Sequence, residues 1–524
     1  MVYDVLIENA RVLDGRGNPW FRGSVAVQGG RIVAIGRFVE GEAVERLDAG
    51  GLYVCPGFID THTHSDLNYL VDSTAQSKVR QGVTTEVLGN CGSSAAPRVG
   101  VAASSGRIMG LEPTWTTYPQ YLDVLDAAAK PVNLASLVGH GTIRTATVGL
   151  EDRPASPEEM AEMERILAEA LEAGAFGMSM GLYFSPGMYA PRQELMRLSR
   201  IVARYGGLTA THNRDSSTRT IGVVEAVREM VEIGEAADCP THIAHIKCHG
   251  PTVWGKSSEM LQLMDEARAR GIEMTCDQYP YEASGGGVIP DTLPHSFQAG
   301  KSSEEIARLL AQPTVRAELY NAVAENVARR GGPARLIIST HPSEDVMGKS
   351  LEQLMAERGT NAAETVMDLL VEAGGDRVGW TCFSFSDEDV ERFMQWPATM
   401  FGSDGSALST EGPLSGGHPH PRNFGTFPRV LGRYVRDKGV LRLEEAVRKM
   451  TSLPAQTYGI AGRGTLAHGY WADLVLFDLA RISDATYEQP KTYPQGIPYV
   501  MVNGEWVIKD GRFTGALPGR LLRR

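Results

Sequence analysis

The sequence predicts an α/β fold: a (β/α)8 TIM-like barrel, a small β-sandwich built from both chain termini, and an insertion between barrel strands seven and eight. Three observations predict it. Apolar β-type runs alternate with helical stretches through the middle of the chain, the pattern of parallel βαβ units. Short β-type runs with glycine-rich turns recur at both ends. Polar residues able to do chemistry fall where the central runs stop, and barrel sites are built at the carboxyl ends of strands. A chain of 524 residues, 42% of them apolar, can bury a core of that size.

At the amino end, Val5-Leu6-Ile7 and Val25-Ala26-Val27 read as strands, with turns at Asp14-Gly15 and Gly29-Gly30. At the carboxyl end, Asp473-Leu474-Val475-Leu476-Phe477 and Tyr499-Val500-Met501-Val502 do the same, and Asn503-Gly504 is a two-residue hairpin signal. Neither end could bury a sheet face alone. Residues 1–55 and 465–524 are therefore expected to pair into one small β-domain, leaving 56–464 for the barrel.

Eight barrel strands are read at 53–61, 84–89, 132–139, 175–181, 208–213, 241–247, 272–279 and 398–403. Residues from about 285 to 395 exceed a normal crossover and are read as an insertion entered through Gly285-Gly286-Gly287. Helix punctuation supports the alternation. Ser156 precedes Pro157, with Glu159 three positions after the serine and Gly174 at the far end: cap, first-turn proline, capping box and terminal glycine. A second helix runs from Ser257 to Arg270 and stops at Gly271.

The net charge of −12 has no clustered Lys and Arg behind it, which argues against a nucleic-acid partner. The opening Met1 to Ile7 carries no basic stretch followed by an apolar one, and no apolar run approaches the ~18 residues of a membrane span. Six widely spaced cysteines do not form a disulfide framework, so a reduced, cytoplasmic compartment is expected.

The strand ends carry the chemistry. The first ends in His62-Thr63-His64, the second in Asn90-Cys91, the fifth in Thr211-His212, the sixth in His245-Ile246-Lys247 and the eighth in Ser403-Asp404. Side chains alternate along a strand, so His62 and His64 share a face about 7 Å apart and can converge on one ion. The plain alternative is a hydrogen-bonded histidine pair. In the sixth strand His242 and His245 face opposite ways; His245 is read as lining the barrel and His242 as a core residue. Cys91 is either a buried structural thiol or a metal ligand. Asp404, expected across the ring from His62 and His64, is either a turn former or the group that moves a proton between water and a leaving amine. His140 ends the third strand without an assigned role.

Together these motifs resemble the amidohydrolase superfamily, and within it the N-acyl-D-amino-acid deacylases, or D-aminoacylases. The matching stretches run from Pro56 to His64, Gly82 to Thr85 with Gly89 to Gly92, Thr211 to Arg214, and His245 to Cys248. Asp277 to Tyr281, Gly402 to Gly405, His420 to Arg422 and Gly469 to Leu474 follow in order. The resemblance implies one zinc held tightly by Cys91, His212 and His245, and a second, weaker or absent metal near His62 and His64. It further implies Asp404 as acid/base, and Lys247, Tyr279 and Arg422 gripping a substrate carboxylate. Cyclic-amide hydrolases of the superfamily bridge two metals with a carboxylated lysine on the fourth strand; Phe176-Gly177-Met178-Ser179-Met180 has none, which leaves Cys91 to bridge. The 405–421 loop departs from the family pattern in its length.

The activity this implies is zinc-dependent hydrolysis of N-acyl-D-amino acids to a carboxylate and a free D-amino acid. Arg422 has a structural ion pair as its alternative. The rivals are an amidohydrolase acting on another linear or cyclic amide or a dipeptide, and a non-catalytic scaffold of the same fold. The expected partner is a small carboxylate-bearing substrate, with no nucleic acid or membrane and with room for an oligomer.

Overall fold

The computed structural model describes residues 2–99 and 109–524. Its centre is a ring of eight parallel strands: Phe58–Asp60, Val83–Leu88, Asn133–Ser136 continued by Val138–Gly139, Gly177–Gly181, Leu208–His212, Thr241–Ile243, Met274–Gln278 and Thr399–Phe401. The Leu137 amide donates to Leu88 O at 3.0 Å and carries the third strand across its irregularity. The ring closes between the eighth strand and the first, where Thr63 bridges Gly405 and the Asp404 amide donates to His62 O at 2.8 Å.

The strands are buried on both faces, as parallel strands covered by helices must be. Val83–Leu88 has every residue buried. Ile59, Val87, Ala135, Leu208, Ala210 and Met400, from five strands of the ring, pack into one cluster. The covering helices begin as the residue pattern implies. Ser156 accepts from the Glu159 amide and Glu159 reaches back to the Ser156 amide, capping the helix Pro157–Glu172. The second punctuated helix is Ser257–Ala269.

Strands from both ends of the chain share one nine-stranded sheet. Leu474–Phe477 lies antiparallel to Tyr53–Pro56, which itself pairs with the first strand of the chain, Val2–Val12. The Asn503-Gly504 turn joins Tyr499–Val502 to Glu505–Lys509 with φ of 51° and 87°, the double positive φ of a tight hairpin.

Three expectations need correction. The run 53–61 is not one strand: it breaks at Gly57, leaving Tyr53–Pro56 in the nine-stranded sheet and Phe58–Asp60 in the barrel. Only glycine fits the switch, because a Cβ there would lie 2.1 Å from Thr84 Oγ1. The sixth strand stops at Ile243 rather than 247, because the chain turns at His245, whose φ is 35°. Residues 284–287 are not a bare entry to the insertion. Ser284–Gly287 is a strand antiparallel to Gly379–Cys382, with Leu336–Thr340 on the other side. Its glycines allow close approach: a Cβ at Gly286 would lie 2.6 Å from Asp291 Oδ2. This three-stranded sheet and its helices have their own core, with Val288, Leu336, Ile338, Val366 and Trp380 fully buried in it.

Among the described residues, no helix is long and apolar enough to cross a membrane.

Candidate metal centre

The carboxyl ends of five strands bring the site together. The Gly89-Asn90-Cys91-Gly92 turn follows the second strand with φ of 72°, 53° and 74° at Gly89, Cys91 and Gly92. A Cβ at Gly89 would lie 1.9 Å from Leu137 O, so the backbone itself wedges the turn against the third strand. Ser179, on the fourth strand and fully buried, accepts from the Gly92 amide at 3.0 Å and donates to Gly89 O. This serine, which the motif reading passed over, staples both ends of the turn that presents Cys91.

Cys91 is the hub. Its Sγ stands 3.2 Å from His245 Nε2, 3.3 Å from His62 Nε2 and 3.5 Å from His212 Nδ1. Zinc binds sulfur at about 2.3 Å and imidazole nitrogen at about 2.0–2.1 Å, which at tetrahedral angles separates the two donors by about 3.5 Å. The spacing and the soft-plus-borderline donor set therefore fit one such ion. Ligand atoms of His62, Cys91, His245 and Asp404 all lie within 4.8 Å of one another. The structure thus puts His62 as near the thiol as the pair His212 and His245, while His64 stands on the Asp404 side. His62 and His64 lie just beyond the strand end, yet both point their Nε2 at Asp404 Oδ1, at 3.7 and 3.0 Å.

The electrostatics suit ligands. Burial, reinforced by Lys247, pushes the His212 and His245 imidazoles well below their ordinary range, keeping them neutral with lone pairs to donate. Burial and the Asp404 carboxylate push the Cys91 thiol upward, so a cation is what would draw out its proton.

His245 owes its position to Asp277, a residue outside the expected site set. The Asp277 carboxylate accepts from the His245 amide and the Thr61 hydroxyl, and His242 Nε2 stands 3.0 Å from it. His242, as expected, is a satisfied core residue, also 3.0 Å from Thr275 Oγ1. Side-chain alternation does not separate it from His245, since the strand ends at Ile243.

Asp404 lies beside His62 and His64, not across the ring from them, because the eighth strand closes on the first. It is buried, with φ of 49°. Burial alone would raise its carboxyl; Arg422, His245 and the His64 hydrogen bond outweigh that and hold it well below the usual carboxylate range. The Arg422 guanidinium pairs with Asp404 Oδ2 at 2.7 Å and lies 4.7 Å over the Tyr279 ring. The Tyr279 hydroxyl is buried and has no hydrogen-bond partner among the described residues. Lys247 Nζ donates to His245 O at 2.9 Å and lies 2.8 Å from His245 Nδ1, and burial pushes it down to about 8.

A cavity of about 980 Å³ opens over this cluster, lined by His64, Cys91, His212, His245, Asp404 and Arg422, and by Arg377 and Ile289 of the insertion. The 405–421 loop contributes Leu408 and His420 to its wall. Lys247 and Tyr279 instead border a small void behind it. His140 is fully buried and bound to Glu194 at 2.9 Å; its neighbours Gly141 and Thr142, not its own ring, line the cavity.

A model of the amidohydrolase family matches residues 45–508. This chain belongs to the amidohydrolase family. Among its amidohydrolase relatives is the N-acyl-D-glutamate deacylase of Alcaligenes xylosoxydans xylosoxydans, 38% identical, with 99% of this chain and 96% of the relative covered. The crystal structure of N-acyl-D-glutamate deacylase from Bordetella bronchiseptica, complexed with zinc and a phosphonate inhibitor that mimics the tetrahedral intermediate, superposes with a TM-score of 0.85 at 34% identity over 100% of both chains. A D-aminoacylase with a binuclear metal centre, described by one-metal activation and second-metal attenuation, matches with a TM-score of 0.83 at 35% identity, again over 100% of both chains.

Proposed function

We propose that this amidohydrolase cleaves the amide bond of N-acyl-D-amino acids, releasing a carboxylate and a free D-amino acid, with zinc as its metal. The observation that carries the reading is the convergence of Cys91, His212 and His245 from three strands, with His62 and Asp404 beside them. The deacylase names and the zinc of the relatives support it.

Cys91, His212 and His245 would hold the tight zinc, and His62 and His64 a second, weaker one. Bound there, zinc acidifies water toward a pKa of ~7 and polarises the acyl carbonyl. The rest falls to the protein. Asp404, kept ionised by Arg422, is ready to accept a proton on Oδ1 from the attacking water and to return it to the departing nitrogen. Arg422, whose guanidinium can fork two parallel bonds onto a carboxylate, would orient the substrate while sharing its charge with Asp404. Tyr279 and Lys247, which border a separate void in this structure, would add a donor and a second cation on turning toward the substrate.

The same reading assigns the metal chemistry to 56–464, with the segment of about 285–395 as its insertion, and treats 1–55 with 465–524 as a supporting β-domain. Six free cysteines, one of them the hub of the site, suit a reducing, cytoplasmic compartment.

The test is a panel of N-acetyl amino acids in both hands, run on protein of known zinc content. Turnover confined to D substrates and lost on zinc removal is expected. Cleavage of the L series, or of cyclic amides alone, would refute the substrate assignment.

A further inference from the structure

The 285–395 insertion does more than wall the cavity. Its Asp291, Arg330 and Trp380 meet Tyr183, Arg219 and His249, which follow the fourth, fifth and sixth barrel strands, in one buried polar cluster. The Tyr183 hydroxyl is saturated there. It donates to Asp291 Oδ1 at 3.0 Å and accepts from Arg330 at 2.8 Å and Arg219 at 3.0 Å, using its one donor and both lone pairs. Asp291 is held in turn by Arg330 at 2.6 Å and by the Trp380 indole at 2.7 Å. Arg330 also reaches His249 Nε2 at 2.6 Å.

The hydroxyl is one end of a ring whose other contact is the metal site. The Tyr183 ring stacks on the His212 imidazole with centroids 5.4 Å apart and planes 22° off parallel, while Phe184 meets the same imidazole edge-on at 4.7 Å. His212 Nδ1, the atom 3.5 Å from Cys91 Sγ, is thus packed by a ring whose hydroxyl end cannot swing away without breaking three hydrogen bonds, two of them to the insertion.

We infer that Asp291 and Arg330 of the insertion act through Tyr183 as positioning residues for His212, so that the insertion sets how tightly the barrel holds its metal. The inference rests on His212 being a ligand. Groups that orient metal-binding histidines typically change metal affinity about 10–100-fold when altered. A cluster that merely glued insertion to barrel would change stability and leave affinity alone.

The experiment measures the zinc dissociation constant of the full chain by competition with a chromophoric chelator, alongside unfolding of the zinc-free protein. Tyr183→Phe removes one oxygen and keeps the ring; Arg330→Lys keeps the charge and loses the fork. Zinc binding about tenfold weaker in Tyr183→Phe, with cooperative unfolding retained, is expected. Arg330→Lys should follow it, and if that variant does not fold, Tyr183→Phe decides alone. Affinity within about twofold of wild type in Tyr183→Phe would overturn the inference. His212→Asn separates the two claims. Zinc affinity unchanged in that variant overturns the ligand assignment and the inference with it, whereas affinity lost there but kept in Tyr183→Phe overturns the inference alone.

Discussion

Replacing Asp404 by asparagine tests the proton-carrying role with the least disturbance of shape. The amide oxygen can face Arg422, now 2.7 Å from Oδ2, and its NH2 can face His64 Nε2, now 3.0 Å from Oδ1, so both contacts survive without the charge. Losing the charge from a buried ionic hydrogen bond costs about 1.5–3 kcal/mol of stability. The larger effect is on rate. General acid–base catalysis is worth about 10²–10⁴, which at 1.36 kcal/mol per tenfold is about 3–5 kcal/mol of barrier. The assay is steady-state kcat on the best N-acetyl-D-amino acid of the panel, with zinc content and a urea melt measured on the same preparation. The expected variant folds, keeps its zinc and turns over about a thousandfold more slowly. A kcat within about tenfold of wild type, at full zinc content, would refute the role.

Two further perturbations probe the scaffold. Ser179→Ala strips a buried staple from the Gly89–Gly92 turn, leaving a buried amide and carbonyl unpaired at about 1–3 kcal/mol each; a lower urea midpoint and weaker zinc binding are expected, and an unchanged midpoint would contradict the account of the turn. Lys449, buried against Thr399 O at 3.2 Å, is pushed by burial down to about 8. The unfolded chain, with a lysine near ~10.4, binds more protons between those values, so folding stability should rise with pH across that window in wild type and lose that rise in Lys449→Met. Parallel stability curves for the two proteins, measured by denaturant unfolding from pH 7 to 10.5, would show that the burial cost is absent.

Much of the architecture was legible because barrel units are local. The Ser156 and Glu159 capping box, the Asn503-Gly504 hairpin and the polar residues at strand ends each follow from a few adjacent positions. What was not legible depends on partners far away in the chain. The break at Gly57 is dictated by Thr84, and the shortened sixth strand by Asp277, which takes the His245 amide. Lys247 was expected to face substrate, yet lies on His245. Arg422 was expected to grip a substrate carboxylate; in this structure it pairs with that of Asp404. The closing of the eighth strand on the first, which sets Asp404 beside His64, is a consequence of ring topology that no local run of residues encodes. Nor does any motif announce Tyr183, Asp291 and Arg330, because each is ordinary in its own segment.

The most direct measurement is a crystal structure of the zinc-loaded protein with anomalous data across the zinc absorption edge. A peak bonded to Cys91 Sγ at about 2.3 Å and to imidazole nitrogens of His212 and His245 at about 2.0–2.1 Å, beside Asp404, is expected. A zinc peak elsewhere, or one from which Cys91 and His212 turn away, would contradict it.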